Sequence, residues 1–203
     1  MATPEGYARN PEQVINFYNE RRKQLLDVVP NAGHLGVADL ERDFNVTVVT
    51  QNVDNLHERA GSTHVIHLHG ELTKVCSSRD PYNPHFVKEL APEEYEVKLG
   101  DKAGDGTQLR PFIVWFGESV PEIETAIRYV EQADIFVIIG TSLNVYPAAG
   151  LLNYVPRAAE VYLIDPKPVD THVMRPIHVI QKGASEGVKE LKALLTVTQP
   201  PLP

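Results

Sequence analysis

The stretch ADIFVIIG, residues 133–140, contains the longest strongly apolar run of the chain, Ile135–Ile139. The run lacks the alternation of apolar and polar residues that marks a half-exposed strand. It therefore predicts a strand of a parallel sheet that is covered on both faces. Further runs of this kind are Val46–Thr50, Val65–Leu68, Phe112–Phe116 and Val161–Ile164.

Helix signals occupy the segments between these predicted strands. Asn10 can cap a helix that has Pro11 at its first position and that ends near Asp27. Strands that alternate with helices predict an α/β fold with a Rossmann-like, doubly wound parallel sheet. The other predicted helices cover residues 31–43 with Asn31 as the cap, 121–132, 148–155 and 187–195.

Residues 71–110 interrupt this alternation. Prolines at positions 81, 84 and 92 and the segment GDKAGDG at 100–106 predict an inserted module without a sheet element. The predicted domains are a helical segment of a small domain at 1–44, the inserted module at 71–110, and a Rossmann-like domain at 45–70 and 111–198.

Composition limits the classes of partner and compartment. The 203 residues include 19 basic and 27 acidic ones, and a formal net charge of −8 argues against general nucleic-acid binding. The single cysteine, Cys76, excludes an internal disulfide and favours a reducing compartment. No apolar run approaches the ~20 residues of a membrane span. We therefore expect a cytoplasmic monomer that contacts neither nucleic acid nor membrane.

The most polar segment, TQNVDNLHERAG at Thr50–Gly61, directly follows a predicted strand. Gln51, Asn52 and Asp54 lie at the carboxyl end of that strand, where open α/β sheets bind ligands. Their amides and carboxylate can bind ribose hydroxyls or a carboxamide. The alternative is an Asx-rich turn that caps the next helix.

The segment HVIHLHG follows at His64–Gly70. His67 and His69 are two residues apart on a predicted strand and share one face. Three interpretations stay open: structural histidines, a general base that accepts a proton near neutral pH, or a metal site with His64 or His57 as a third ligand.

Two later strand ends also have candidate ligand-binding residues. Gly140, Thr141 and Ser142 form a turn that can present N–H groups and hydroxyls to an anion, although an ordinary loop would have the same sequence. Asp165 suits a ribose or a simple turn with Pro166.

Two aromatic segments are open to interpretation as well. Core packing is the favoured interpretation of Trp115, the only tryptophan. Tyr18 and Arg21 share a helix face, and a partly buried guanidinium can bind a carboxylate through two hydrogen bonds. The alternative is a surface arginine beside Arg22 and Lys23.

In this order and spacing, TQNVDNLHERAG, HLHGEL, RPFIVWFGE and IIGTSLNVYPAAGL resemble the sirtuins, NAD-dependent protein lysine deacylases, over nearly the whole chain. MATPEGYARNPEQVINFYNERRKQ is similar to the helical segment of the bacterial, desuccinylase-like branch. The resemblance implies removal of acetyl and succinyl groups from protein lysines, with nicotinamide and O-acyl-ADP-ribose as products.

The resemblance also implies a role for each matching residue. His69 matches the catalytic base, and Tyr18 and Arg21 match the pair that reads acidic acyl groups. The edge Val114–Glu118, with Val114, Phe116 and Gly117, matches the segment that pairs with the substrate backbone. The implied NAD contacts are Gln51, Asn52 and Asp54 at the nicotinamide ribose and carboxamide, Gly140, Thr141 and Ser142 at the phosphates, Asp165 in place of the family's asparagine at the adenosine ribose, and Ala184 near adenine.

The sequence departs from the family pattern in two places. CSSR at Cys76–Arg79 keeps one cysteine of the family's two cysteine pairs, so we expect no structural zinc and a module held by packing of Tyr82, Phe86 and Tyr95. The family's first strand and Gly-Ala-Gly-Ile-Ser turn have no counterpart here. The missing segment leaves open a catalytically impaired, truncated module that binds ADP-ribose or peptide, and the histidine cluster leaves open a metalloenzyme.

Overall fold

The computed structural model describes residues 2–141, 148–168 and 175–198, and the chain divides into two compact units. Unit 1 comprises Met1–Val29, Val49–Asn55 and His67–Glu122. Unit 2 comprises Pro30–Val48, Leu56–Ile66 and Ile123–Pro203. The division into domains at 1–44, 71–110 and the remainder stays a prediction.

Helices and strands alternate in part of the chain. The helices are α1 (Pro4–Arg9), α2 (Pro11–Asp27), α3 (Ala32–Asp39), α4 (Leu56–Ala60), α5 (Ile123–Val130) and α6 (Ala184–Thr198), with 3₁₀ turns at Leu40–Arg42, Pro84–Phe86, Pro92–Glu94 and Ala148–Tyr154. The strands are β1 (Val48–Thr50), β2 (Val65–His67), β3 (Gly70–Ser77), β4 (Lys88–Glu89), β5 (Leu109–Ile113), β6 (Ile135–Ile139), β7 (Glu160–Ile164) and β8 (His178–Ile180). No helix in the described ranges is long and apolar enough to cross a membrane.

Helix α2 begins and ends where its capping residues predict. The Asn10 side chain accepts a hydrogen bond from the Gln13 N–H at 3.1 Å, and Pro11 occupies the first turn, where its missing N–H costs nothing. The predicted helix ending near Asp27 is confirmed. The helix capped by Asn31 is also present, but its last residues, Leu40–Arg42, tighten into a 3₁₀ turn.

Strands β6, β7 and β8 form a parallel sheet in unit 2. Ile135 pairs with Glu160 and Ile139 with Ile164, so the predicted strand of continuous apolar residues is confirmed at both ends. Helices α3 and α6 pack together in this unit. The core that joins them to the sheet consists of Val37, Leu40, Tyr162, Ile164, Ile180, Val188, Leu191 and Leu195.

Strands β3, β4 and β5 form an antiparallel sheet in unit 1, in the order β4-β3-β5. Val75 pairs with Pro111 and Ser77 with Leu109. The prediction that residues 71–110 lack a sheet element is therefore wrong. Because β3 mixes polar and apolar residues and its partner β5 lies more than thirty positions away in register, no local pattern indicates the strand.

The apolar run Phe112–Phe116 does not form a strand of the parallel sheet. Strand β5 ends at Ile113 and pairs antiparallel with β3. Beyond it the Glu118 N–H donates to the Trp115 carbonyl at 3.0 Å, which makes a turn. The apolar character of the run therefore reflects burial of Ile113 and Trp115 and not a continuous strand.

Candidate active site

His69 lies between β2 and β3 and is half-buried. Its Nδ1 is 3.1 Å from the Gln51 carbonyl oxygen. Because a carbonyl only accepts, this hydrogen bond requires a proton on Nδ1, and the lone pair of a neutral imidazole is then on Nε2. The arrangement leaves His69 able to take a proton from a ligand.

His67 is held in the same way and is buried. Its Nδ1 is 3.2 Å from the Asn52 carbonyl oxygen, and its exposed fraction is 8%. The other two histidines of the metal interpretation contact different groups: His64 lies 3.0 Å from Thr47 Oγ1, and the His57 ring packs on His34. The described part of the chain contains no group of three or more His, Cys, Asp or Glu side chains arranged to hold a metal ion.

The loop that follows β1 anchors both histidines through its backbone. The Asn52 N–H donates to Thr50 Oγ1 at 3.0 Å, which is the hydrogen bond of a local turn. The Asn52 side chain is exposed, whereas Gln51 and Asp54 are half-buried. The acceptor in this turn is the Thr50 hydroxyl and not an Asx side chain, so the Asx turn that caps the next helix stays a prediction.

Gly70 lets β5 approach the residue next to His69. The Val114 N–H donates to the His69 carbonyl at 2.9 Å. Gly70 has φ +81°, and a Cβ placed there would lie 2.1 Å from the Phe112 carbonyl oxygen. A side chain at this position would separate the two strands, so the glycine of the HLHG segment fixes the position of the histidine before it.

Tyr18 is buried in unit 1, with an exposed fraction of 5%. Its hydroxyl oxygen accepts a hydrogen bond from Trp115 Nε1 at 3.0 Å. Burial raises the pKa of the Tyr18 hydroxyl, and the Trp115 hydrogen bond opposes that rise. Tyr18 is therefore a neutral hydroxyl at physiological pH.

Arg21 and Arg22 are distributed opposite to the sequence expectation. Arg21 is exposed, and its guanidinium donates to Gln24 Oε1 at 3.1 Å and lies over the Phe17 ring. Arg22 is buried, and it donates to the Tyr95 carbonyl at 2.7 Å. Burial lowers the pKa of the Arg22 guanidinium to about 10. Arg21 is exposed, as the surface interpretation expects, whereas the expectation that Arg22 is its surface neighbour is wrong.

Asn19 and Arg22 together attach helix α2 to the backbone of Tyr95 and Val97, which the sequence did not predict. Its side chain donates to the Val97 carbonyl at 2.8 Å and accepts from the Val97 N–H at 3.0 Å. Its Oδ1 also accepts from Arg22 at 2.6 Å. Asn19 and Arg22 lie i and i+3 on α2, a spacing that places both side chains on one face, but no local pattern identifies the distant backbone that they bind.

The predicted substrate edge consists of a turn. The Val114 N–H is bonded to the His69 carbonyl, and the Phe116 N–H donates to the Ala2 carbonyl at 3.0 Å. The Phe116 side chain has an exposed fraction of 76%. Gly117 has φ +91°, and no atom of the described residues lies within 4 Å of the position of a Cβ.

Trp115 is fully buried, which agrees with the core interpretation. Arg110 lies over its ring, 3.6 Å from the centroid, and the Trp115 N–H donates to Glu118 Oε2 at 2.8 Å. Arg110 forms two hydrogen bonds with the Glu118 carboxylate, of 2.7 and 3.0 Å. Burial works to raise the pKa of the Glu118 carboxyl, but Arg110 and the Trp115 N–H hold it below its ordinary value.

The small module is held by a hydrogen-bonded knot around Asp105, a second feature that the sequence analysis missed. The carboxylate accepts from the Ser77 and Thr107 hydroxyls, each at 2.7 Å, and Arg79 lies 3.8 Å away. The pKa of Asp105 is lowered to about 2, chiefly by the Thr107 hydroxyl. The Ser77 hydroxyl also lowers this pKa, and desolvation opposes both effects. The Asp-Gly-Thr spacing is typical of a turn and was its only sequence signal.

Tyr82, Phe86 and Tyr95 were predicted to hold this module by packing. Tyr82 and Phe86 contact different groups. Tyr82, Phe86 and Tyr95 are half-buried. The Tyr82 hydroxyl lies 3.4 Å from Glu118 Oε2, and Phe86 Cδ1 would lie 3.3 Å from a Cβ placed on Gly104.

Unit 2 presents its candidate residues along one edge of the parallel sheet. Gly140 follows β6, has φ +61°, and has no atom of the described residues within 4 Å of the position of a Cβ. Asp165 follows β7, and its carboxylate accepts from the Lys167 N–H at 2.8 Å. Ala184 begins α6, and Thr141 is half-buried. Ser142 lies outside the described residues.

A parallel sheet with polar turns beyond the carboxyl ends of neighbouring strands defines an α/β protein of the dinucleotide-binding class. Residues 1–147 match the Sir2 family model, and the chain belongs to the Sir2 family, the sirtuins.

Individual relatives agree with this assignment. The NAD-dependent protein deacylase of Bacteroides thetaiotaomicron is 82% identical over 96% of this chain and 83% of its own length. A mutant Sir2 homologue solved with 2′-O-acetyl ADP ribose is 34% identical, with a TM-score of 0.83, over 100% of this chain and 81% of that one. A Sir2 protein solved with a p53 peptide and NAD+ is 27% identical, with a TM-score of 0.76, over 96% and 82%. The predicted Rossmann-like fold class is confirmed.

Proposed function

We propose that this chain removes acetyl and succinyl groups from protein lysines with NAD as co-substrate and releases nicotinamide and O-acyl-ADP-ribose. The observation that carries the proposal is His69, whose Nδ1 is committed to the Gln51 carbonyl at 3.1 Å. The lone pair of a neutral His69 is then on Nε2, which can act as a base. The name of the 82% identical Bacteroides protein, NAD-dependent protein deacylase, supports the activity.

The residues present suit NAD chemically. Gly140 leaves open space where a Cβ would lie, and its positive φ turns the chain sharply at the end of β6. Such a turn, with Thr141 and Ser142 after it, suits phosphate oxygens. Asp165 suits ribose hydroxyls and Ala184 the adenine face. The amides of Gln51 and Asn52 and the carboxylate of Asp54 suit the carboxamide and ribose of the nicotinamide half.

NAD supplies the ribose carbon that takes up the acyl oxygen when nicotinamide leaves. His69 Nε2 would then accept a proton from a ribose hydroxyl, while its Nδ1 keeps its own proton in the hydrogen bond to the Gln51 carbonyl. The ribose oxygen would bond to the acyl carbon, the C–N bond to the lysine amine would break, and one water would add to give O-acyl-ADP-ribose and free lysine. A positioned base of this kind contributes about 10²- to 10⁴-fold in rate. Val114, Phe116 and Gly117 contact the substrate backbone through groups other than the Val114 and Phe116 N–H, which are bonded to the His69 and Ala2 carbonyls. Tyr18 and Arg21 bind the carboxylate of a succinyl group.

The test of catalysis compares two histidines. Nicotinamide release from NAD is measured with and without an acetyl-lysine or a succinyl-lysine peptide. His69→Ala lowers kcat at least about 100-fold, the lower range for loss of a general base, while isothermal titration still detects NAD binding. His85→Ala is the matched control, because His85 is exposed on the 3₁₀ turn Pro84–Phe86. Near-native turnover by His69→Ala would contradict the assignment of the base.

The test of acyl selectivity compares the activities of three single variants on helix α2. A charge-assisted hydrogen bond contributes about 1.5–3 kcal/mol, so Arg21→Met or Tyr18→Phe lowers succinyl kcat/KM about 10- to 100-fold. Acetyl-lysine has no carboxylate, and its kcat/KM falls much less. Lys23→Met is the control, because it removes an exposed positive charge from the same helix. Equal losses on both substrates would show that the pair only supports the helix.

The proposal also assigns the chain to the cytoplasm as a monomer that acts on acyl-lysine proteins, without nucleic-acid or membrane partners and without structural zinc. The single cysteine and the net charge of −8 support it.

A further inference from the structure

Trp115 links the residue proposed to read the acyl group to a buried ion pair. Its indole Nε1 donates to the Tyr18 hydroxyl at 3.0 Å, and its own backbone N–H donates to Glu118 Oε2 at 2.8 Å. The Arg110 guanidinium lies 3.6 Å from the ring centroid. These contacts belong to residues in unit 1, and Tyr18 and Trp115 are 97 positions apart in sequence.

The hydrogen bond fixes the direction in which Tyr18 donates. An indole N–H can only donate, so the Tyr18 oxygen is the acceptor. A phenol hydrogen lies near the ring plane and has two orientations there. Because the indole N–H points at the Tyr18 oxygen, the Tyr18 O–H cannot point back at Trp115 and is directed away from it. A hydroxyl held in this way meets a ligand carboxylate as a donor without having to reorient.

Trp115 itself is held in place on several sides. Arg110 bonds to both oxygens of Glu118, at 2.7 and 3.0 Å, and donates to the Ile113 carbonyl at 2.7 Å. The Tyr7 ring packs at a centroid distance of 5.2 Å. Arg110 and Trp115 are exposed by only 4% and 2%. The indole therefore has no room to turn away from Tyr18.

We propose that Trp115, supported by the Arg110–Glu118 pair, is a positioning residue for acyl selectivity: it orients the Tyr18 hydroxyl toward the carboxylate of an acidic acyl group. The inference rests on the proposed function. In this inference the indole of Trp115 acts on the acyl group through Tyr18, whose hydroxyl it contacts.

The experiment is a double-mutant cycle that follows the ratio of succinyl to acetyl kcat/KM. Trp115→Phe and Tyr18→Phe each lower the ratio on the order of 10-fold, the loss of one charge-assisted hydrogen bond. In the double variant the ratio falls no further, because Trp115 acts through the hydroxyl that is already absent. Tyr7→Phe is the matched control: its ring also packs on Trp115, but its buried hydroxyl has no hydrogen-bond partner in the described part of the chain. The control leaves the ratio unchanged.

Replacement of tryptophan by benzothienylalanine provides a second variant if Trp115→Phe fails to fold. Trp115 is the only tryptophan in the chain, so the replacement affects a single site and exchanges the N–H for sulfur with the ring shape kept. The same fall in the ratio is expected.

Two results would overturn the inference. If Trp115→Phe lowers both substrates equally, or adds a further change to Tyr18→Phe, Trp115 has a packing role alone. If the wild-type chain deacetylates but does not desuccinylate, the selectivity does not exist, and the inference fails while the proposed deacylation stands. Absence of both reactions would contradict the proposed function itself.

Discussion

Replacing Gly70 by alanine tests whether backbone contact next to His69 fixes the base. The new Cβ would lie 2.1 Å from the Phe112 carbonyl oxygen and 3.0 Å from Ile113 Cα, and the residue has φ +81°. A left-handed backbone costs an L-residue about 1–2 kcal/mol, and overpacking adds about 1–3 kcal/mol. The sum of about 2–5 kcal/mol lowers Tm by about 4–20 °C for a chain of this size.

Activity falls as well, because an ordinary contact requires the strands to separate by about 1 Å, and such a displacement of a catalytic group costs up to about 100-fold. Gly106→Ala is the control, since Gly106 has φ +78° but no atom within 4 Å of its Cβ position. Gly106→Ala lowers the free energy of unfolding by the backbone cost alone, about 1–2 kcal/mol. Thermal melts and kcat are measured for both variants. Equal melting temperatures and equal kcat values would refute the reasoning.

Further predictions concern the small module. The pKa of Asp105 is lowered to about 2, chiefly by the Thr107 hydroxyl, so the carboxylate stabilises the fold above its ordinary pKa and loses that effect as pH falls. Wild-type Tm therefore declines between about pH 4 and 2. Asp105→Asn flattens this part of the Tm–pH curve. An unchanged slope would show that the hydrogen bonds of Asp105 do not stabilise the fold. Burial raises the pKa of the Cys76 thiol to about 12, so a disulfide reagent reacts with it only after unfolding. Rapid labelling of native protein would disprove this. Finally, purified protein contains no stoichiometric zinc and keeps its Tm in chelator, and one zinc per chain by metal analysis would overturn the prediction.

Local signals predicted the elements whose causes are local. Strand β6 has the predicted bounds because a continuous apolar run is enclosed by Asp134 and Gly140. Helix α2 has them because Asn10 and Pro11 satisfy its first turn. Strand β3 was missed because its pairing is set by residues far along the chain.

The site shows the same division. The HLHG segment predicted a strand-end histidine, and the structure adds the carbonyl that orients it. The burial of Arg22 was not predictable, because both Arg21 and Arg22 lie close to the Tyr18 face of a helix, at i+3 and i+4. Arg22 is the buried one of the two because it donates to the Tyr95 carbonyl, 73 residues away in the chain. Trp115 was correctly interpreted as core, but its hydrogen bond to Tyr18 joins positions too distant for a sequence pattern.

The packing of α3 on α6 also determines when unit 2 can close during synthesis. Asp39 and Lys192, an ion pair between these helices, are 153 residues apart in the chain. At a translation rate of about 5–20 residues per second, α6 is made about 8–30 s after α3. Until then Val37 and Leu40 lack the partners Val188 and Leu191 that cover them in the finished core. Unit 1 has its last residue at Glu122 and can assemble earlier. Lys192 lies 70 residues after Glu122, so at the same rate unit 1 is complete for about 4–14 s while the apolar side of α3 is still uncovered. A chaperone would protect the nascent chain most in this interval.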